Sequence, residues 1–349
     1  MNRLEYIGSK FQLLPWLHEQ ILAATGWQSF AGRRVADLFA GTAVVSHHFR
    51  QQGAIVHAND AEPYSAAISH AIVRSSYNLK CKLLIAKWNT ELTAGAHATT
   101  CDFITSKYSP HEDCERMFFT VENARRIDYL RLQLAATRPT LGEDDFYFLL
   151  ASILTSADAI KNTTSVYGAY LKQFKKRAEA ALVLKPIHTL GSSATSATSR
   201  ATCLPAAAAA TAIADPLDVA YLDPPYNQRQ YSKNYFPLNE IAKPPATQTN
   251  QPALKGKTGI PADCFLSDFC KVATVEQAFT DLVTALNAAW VFISYNSESL
   301  IPKAHLIEIL EAHGEVTVAE REYKRFKSSE LNEDKEIIEY LFCLHKRSE

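Results

Sequence analysis

The chain has 349 residues, 36 Lys and Arg against 37 Asp and Glu, a formal net charge of −1 and 47% hydrophobic residues, which excludes disorder and collagen and suits one large globular domain or two. No apolar run of about 18 residues exists, and the opening MNRLEYIGSK carries charge at Arg3 and Glu5, so neither a membrane span nor a signal peptide is read and a cytosolic, intracellular protein is expected. The seven cysteines are scattered without a C-x-x-C pair, so they read as reduced thiols, with no disulfide framework and no metal site.

Arg34 to Phe39 and Ala54 to Asn59 are short apolar runs with β-branched residues, each followed by a turn or helix signal, which is the pattern of buried parallel strands. TAVVSHHFRQQG between them reads as a helix ended by Gly53, and Pro63 opens another through YSAAISHAIV. His47 and His48 fall on the first of these helices and read as surface residues rather than ligands. The chain then changes character. VENARRIDYLRLQL and DDFYFLLASILTSADAI repeat their apolar residues at helical spacing, and a Ser/Thr/Ala tract with room for one weak strand follows.

A mostly helical insertion with a linker is therefore expected over 76–199, interrupting a catalytic unit built from 1–75 and 200–349. Strand patterns resume at Asp218 to Asp223 and at Ala289 to Asn296, with a helical run from about Val272 before the second. After a helix near Pro302 to His313, GEVTVAE and IIEYLFCLHK read as an antiparallel hairpin around a polar loop. The expected fold is α/β: a doubly wound, mostly parallel, Rossmann-like sheet with an antiparallel terminal hairpin and one helical insertion.

YLDPPYNQRQYSKNY carries the most chemistry. An apolar strand runs into Asp223-Pro224-Pro225-Tyr226, and the two prolines lock the backbone just past the strand's carboxyl end, where ligands bind in such sheets. Prolines donate no hydrogen bond, so carbonyl oxygens stand as acceptors beside the Asp223 carboxylate, with the Tyr226 ring as a stacking surface. An exocyclic amine on a flat base fits that array. An isolated D-P-P-x is most often a capped turn, but this one ends a strand.

Asp37-Leu38-Phe39-Ala40-Gly41-Thr42-Ala43 is a strand ending in a small-residue turn that opens a helix, so a cofactor can approach its backbone. It lacks the glycines and lysine of a phosphate cradle. Asp60 ends the next strand, where a carboxylate can accept both hydroxyls of a ribose. Together these suggest an adenosine-containing cofactor without phosphates.

DLFAGTA, ANDAEPY, DVAYLDPPYNQRQYSKNYFPLNEIA and YIGSKFQLLPWL resemble the DNA adenine (N6) methyltransferases of restriction-modification systems, in the class of the Dam and FokI modification methylases. FFTVENARRIDYLR, IKNTTSVYGAYLK, GKTGI, FISYNSESL, YKRFKSS and EYLFCL extend the FokI-type resemblance over nearly the whole chain. It implies an S-adenosylmethionine-dependent enzyme that methylates a flipped adenine in double-stranded DNA, with a cognate restriction endonuclease as partner. Tyr6 and Lys10 would contact the methionine end of the cofactor, Lys10 pairing with its carboxylate. Asp37, Phe39 and Gly41 would shape the cofactor turn, and Asp60 would hold the ribose. Asp223, Pro224, Pro225 and Tyr226 would receive the adenine, with Asp223 also bordering the cofactor.

The chain departs from the family pattern at Ala43, where the turn usually ends in glycine, and at Cys203, near where an acidic residue is sought. Asn227, Arg229, Tyr231, Asn234 and Tyr235 would lie on the DNA-facing rim, with core packing as the equal alternative for Tyr235 and Phe236. The basic run holding Lys161, Lys172, Lys175, Lys176 and Arg177 would meet phosphates and make affinity fall with salt. Base-reading side chains are expected in the insertion and around GKTGIPADCF. The competing readings are an N4-cytosine or an RNA adenine methyltransferase, and a cofactor-poor relative that only binds DNA.

Overall fold

The site hangs from a seven-stranded sheet, seen in a computed structural model that describes residues 4, 6–191, 193–245, 251–324 and 336–347. Helix α1 (Leu14–Thr25) ends on Gly26, at a φ of 70° that glycine adopts without strain. Then come β1 (Arg34–Asp37), α2 (Val44–Gln51), β2 (Ile55–Asn59) and α3 (Pro63–Val73). Pro63 occupies the first turn of α3, where its missing N–H costs nothing.

The insertion holds α4 (Leu79–Thr93), α5 (Phe103–Tyr108), α6 (Val121–Thr137), α7 (Glu143–Ala159) and the short α8 (Lys176–Glu179) and α9 (Ala194–Thr198). The Asn78 and Thr120 side chains cap α4 and α6 by accepting the backbone N–H three residues on. Every residue of α7 from Phe148 to Asp158 is buried, as is every residue of α3 from Tyr64 to Val73. Helices buried on every side belong inside a fold, and these two pack on each other. The insertion therefore shares the buried cluster of the sheet, which runs from Val35 and Val219 through Ile68 to Leu149 and Phe118.

The sequence-read weak strand is β3 (Arg200–Thr202), followed by α10 (Ala206–Ala212) and β4 (Leu217–Leu222). Helix α11 (Tyr231–Ala242) went unread because Pro237 lies inside it; the chain bends at Tyr235, whose φ of −130° breaks the helical path. A two-stranded ribbon, β5 (Leu254–Lys255) with β6 (Ile260–Pro261), precedes α12 (Val275–Ala285), β7 (Ala288–Asn296) and α13 (Lys303–Glu311). β8 (Gly314–Lys324) and β9 (Glu336–Lys346) close the chain as the expected antiparallel hairpin. Its polar connection, 325–335, which contains most of YKRFKSS, lies outside the described residues, as do Arg3 and Glu5.

The strand order is β3-β2-β1-β4-β7-β9-β8, parallel from β3 to β7, with β9 antiparallel to β7. Alternating strand residues feed two cores: Val35, Val219 and Phe292 face α1, α2 and α3, whereas Ala36, Ala220 and Val291 face α10, α12 and α13. The chain winds outward from β1 to β3 and then returns to β4. The switch point therefore lies between the carboxyl ends of β1 and β4, with Asp37 in register with Tyr221.

Ala43, the last residue of the turn after β1, has a φ of 57°, the left-handed region that favours glycine. Ala43→Gly is expected to raise stability by about 1 kcal/mol, read as a higher urea midpoint at unchanged slope. A midpoint that stays put would mean the turn stores no such strain.

Candidate active site

Asp223 to Tyr226 leave β4 at the switch point, and the N-terminal segment closes over them. Lys10, with 4% of its side chain exposed, places Nζ 3.0 Å from Asp223 Oδ1 and 4.7 Å from the centroid of the Tyr226 ring. The Tyr226 hydroxyl donates to the same Oδ1 at 2.8 Å, and its ring meets Tyr295 edge-on at 5.1 Å. Both contacts fall on Oδ1, so the carboxylate is oriented while Oδ2 stays outside them. Burial raises the Asp223 carboxyl above its ordinary value, with Lys10 pulling it back down.

Lys10 is thus the ion-pair partner of the elbow. The sequence could not show that the segment folds Lys10 inward onto a carboxylate 213 residues away.

Across the switch point stands Asp37, 1% exposed, whose Oδ2 accepts from Ser46 Oγ at 2.6 Å and whose Oδ1 is buried without a hydrogen-bond partner. Burial holds its carboxyl at about 7, against the Ser46 bond, with Asp223 and Asp60 adding to the rise. Asp60 Oδ2 accepts from the Gly41 N–H at 2.8 Å and Oδ1 from the Glu62 N–H at 2.9 Å. The Ser65 hydroxyl and the Ala61 N–H bond the same carboxylate.

Gly41, at a φ of 54°, has no room for a side chain: a Cβ there would lie 2.9 Å from the Tyr6 ring. Phe39 sits half-buried, edge-on to Phe269 at 5.0 Å.

Tyr235 is a correction. It is fully buried, stacks on Tyr6 at 4.9 Å and accepts the Ile7 N–H on its hydroxyl at 3.0 Å, so it pins the N-terminal segment instead of facing DNA. Phe236 is also buried. Tyr231 and Asn234 are half-buried beside it, and Asn227 and Arg229 are exposed at the rim.

Lys161 is a second correction: 1% exposed, it bonds Asp158 at 2.8 Å inside the protein and reaches no phosphate. Lys175 is half-buried, its ammonium donating to the Thr163 carbonyl at 2.5 Å. Lys172, Lys176 and Arg177 are exposed. His47 and His48 are half-buried rather than on the surface, and His48 pairs with His18 at 3.0 Å. Among the described residues no group of His, Cys, Asp and Glu could hold a metal ion, and no helix is long and apolar enough to cross a membrane.

Two buried carboxylates beside the site were not singled out from the sequence. Glu339, on β9, is 8% exposed and stands in register with Asn296 of β7. Glu62, 5% exposed, opens α3 and accepts from Asn239 Nδ2 at 2.5 Å. Burial lifts it to about 8, against the Asn239 bond, with Asp60 adding to the rise. A folded pKa above the unfolded 4.5 means the folded state holds the proton longer, so this group's stabilisation, full below 4.5, is lost as pH rises through about 8. Glu62→Gln keeps the amide contact and removes that loss. The variant's melting-temperature advantage over the parent should widen between pH 5 and pH 8.5; a constant gap would refute the assignment.

The carboxyl ends of β1 and β4 thus set acceptor oxygens on one side and a cramped glycine turn on the other, at the switch point of an α/β sheet. Residues 6–284 match the family model described as D12 class N6 adenine-specific DNA methyltransferase, and the chain belongs to that family. It is 36% identical over 345 residues to the type II methyltransferase M.CviAII of Paramecium bursaria Chlorella virus 1, covering 99% of each chain. It is 33% identical over 352 residues to M.NlaIII of Neisseria lactamica, covering 98% of this chain and 99% of that relative. The 31% identity to M.FokI of Planomicrobium okeanokoites spans 98% of this chain and 53% of that longer protein. The family and the α/β class read from the sequence both hold.

Proposed function

We propose that this D12-class enzyme transfers a methyl group from S-adenosylmethionine to the N6 amine of an adenine flipped out of double-stranded DNA, as the modification arm of a restriction-modification system with a cognate endonuclease. The observation that carries the reading is the elbow at the switch point, where Lys10 and Tyr226 orient Asp223 through one oxygen. The Asp223 Oδ2 and the Pro224 carbonyl then accept the two N–H groups of the amine, drawing its lone pair out of conjugation with the ring. Tyr226 supplies the stacking face. The proton shed by the methylated nitrogen passes to Asp223, whose burial favours the neutral acid.

The donor's chemistry is an electrophilic methyl on a positively charged sulfur. The turn fits such a molecule on two counts: the partnerless Asp37 Oδ1 suits an ammonium, and the crowded Gly41 leaves bare backbone. Asp60, at the end of β2, would take the ribose hydroxyls.

An amine inside a duplex cannot reach the elbow, so the base leaves the stack at a cost of roughly a few kcal/mol. Asn227, Arg229, Tyr231 and Asn234 supply the rim, with Lys172, Lys176 and Arg177 as phosphate contacts. The β5–β6 ribbon suits base reading, since Tyr108 and Arg116 hold its turn through the Gly259 and Lys257 carbonyls while Lys255 and Lys257 stay exposed.

The test is to methylate DNA with labelled cofactor, digest it to nucleosides and identify the labelled base. N6-methyladenine is expected. Label in N4-methylcytosine, or incorporation into RNA alone, would overturn the substrate, and no incorporation would leave only DNA binding.

A further inference from the structure

Phe265 and Leu266, in the loop between β6 and α12, are 37% and 45% exposed. A lone exposed apolar side chain is ordinary, but these two are consecutive and their backbone is fastened to the residues just past the Asp223 elbow. The Ser232 hydroxyl, itself buried, donates to the Phe265 carbonyl. The Gln230 amide clasps Ser267 twice, accepting its N–H at 2.8 Å and donating to its carbonyl at 3.1 Å. Cys270 Sγ donates to the Arg229 carbonyl at 3.4 Å, and Phe269 is the ring that meets Phe39 in the turn after β1. The loop therefore runs outward from the crevice, and Phe265 and Leu266 stand at its outer end.

Their setting is cationic. Arg229 and Lys233, which flank the clasping residues Gln230 and Ser232 in sequence, are both exposed. Each acid of the loop has a cation beside it, Asp268 meeting Lys271 at 2.8 Å and Asp263 meeting Lys243 at 3.9 Å. An apolar tip held among cations suits an apolar gap inside a polyanion. A duplex that gives up a base offers such a gap: an unstacked space between flat base faces, bordered by phosphates.

We propose that Phe265 and Leu266 form a wedge that enters the duplex where the target adenine has left it, the Phe265 ring stacking in the vacated space and blocking the base's return. This role rests on the proposed function and deepens it. Because the clasps fix the tip beforehand, little ordering entropy is lost on entry, and the stacking gain goes into holding the base out.

The test is single-turnover methyl transfer by the intact protein on a duplex containing a site at which it labels adenine. The double variant Phe265→Ala, Leu266→Ala should keep the parental circular dichroism spectrum yet react about 30-fold more slowly, the loss that removal of one aromatic–base stack gives. Phe265→Tyr alone keeps the ring and should stay within about threefold of the parent. A second duplex carries a pyrene nucleotide opposite the target adenine; its ring fills the gap in place of the wedge and should bring the double variant within about threefold of the parent on that duplex. A parental rate on the ordinary duplex, an undiminished loss on the pyrene duplex, or a loss that accompanies dissociation of a dimer would each overturn the wedge, the last by making the tip a contact between copies. Absence of labelled adenine overturns the proposed function and the wedge together, whereas labelled adenine from a fully active double variant overturns the wedge alone.

Discussion

Asp223→Ala should lower single-turnover methyl transfer by about 10³-fold or more while DNA binding changes by only a few-fold. In the proposed reaction the carboxylate supplies an acceptor that pulls the amine's lone pair out of the ring and a base for its proton. The pocket's remaining groups, the Pro224 carbonyl and the Tyr226 ring, still admit the base. Asp223→Asn keeps an acceptor oxygen but neither the charge nor the basicity, so it should fall between the two, about 10²-fold down. Lys10 adds a second readout: at 4% exposure and with Asp223 as its ion-pair partner, it would be left on the Gly8 carbonyl at 3.4 Å. The alanine variant should therefore be less stable than the parent, and Lys10→Met should restore part of the loss. Methyl transfer by Asp223→Ala within about tenfold of the parent would remove the elbow from the chemistry altogether.

What the sequence reveals of this site follows from where local rules are sufficient. β1 and β4 are buried on both faces and end in residues that cannot continue a strand, so DLFAG and DPPY could be placed at strand ends and, through them, at one crevice. The partners of a charge are not local in the same way. Lys161 heads a run of positive residues and reads as part of a basic surface, yet its partner Asp158 is the residue three positions back at the end of α7, just outside that run. The i, i+3 spacing was the available signal. Tyr235 reads as a rim residue because Pro237 disguises the helix that turns it inward. Glu339 of β9 stands between Ile338 and Tyr340, so alternation along the strand does not say which face it takes, and only the structure shows it to be 8% exposed.

Arg131→Met should cost about 3–5 kcal/mol of stability, the largest loss expected of a single side chain outside the crevice. Arg131, on α6, is 3% exposed; its Nη1 pairs with Asp102 at 3.0 Å and with Asp128 at 3.1 Å. Asp128 is fully buried and accepts the N–H groups of Ile104 and Thr105, so it fixes the start of α5. The other guanidinium nitrogens bond the carbonyls of Glu240, Ile241 and Lys243, the exposed acceptors that any helix leaves at its carboxyl end, here that of α11. One planar fork therefore ties α6 and the start of α5 to the end of α11, the helix that follows the Asp223 elbow. Methionine fills the space but strands a buried carboxylate and frees those carbonyls. Lysine restores a charge but not the fork, and should recover less than half of the loss. Asp128→Asn added to Arg131→Met removes the stranded charge and should regain part of it, a coupling that a mere loss of packing would not produce. Urea unfolding of the four proteins measures the energies. Hydrogen exchange at Ile241 to Lys243 supplies the local readout, with faster exchange in Arg131→Met expected; protection equal to the parent would place the stabilisation elsewhere than at the end of α11.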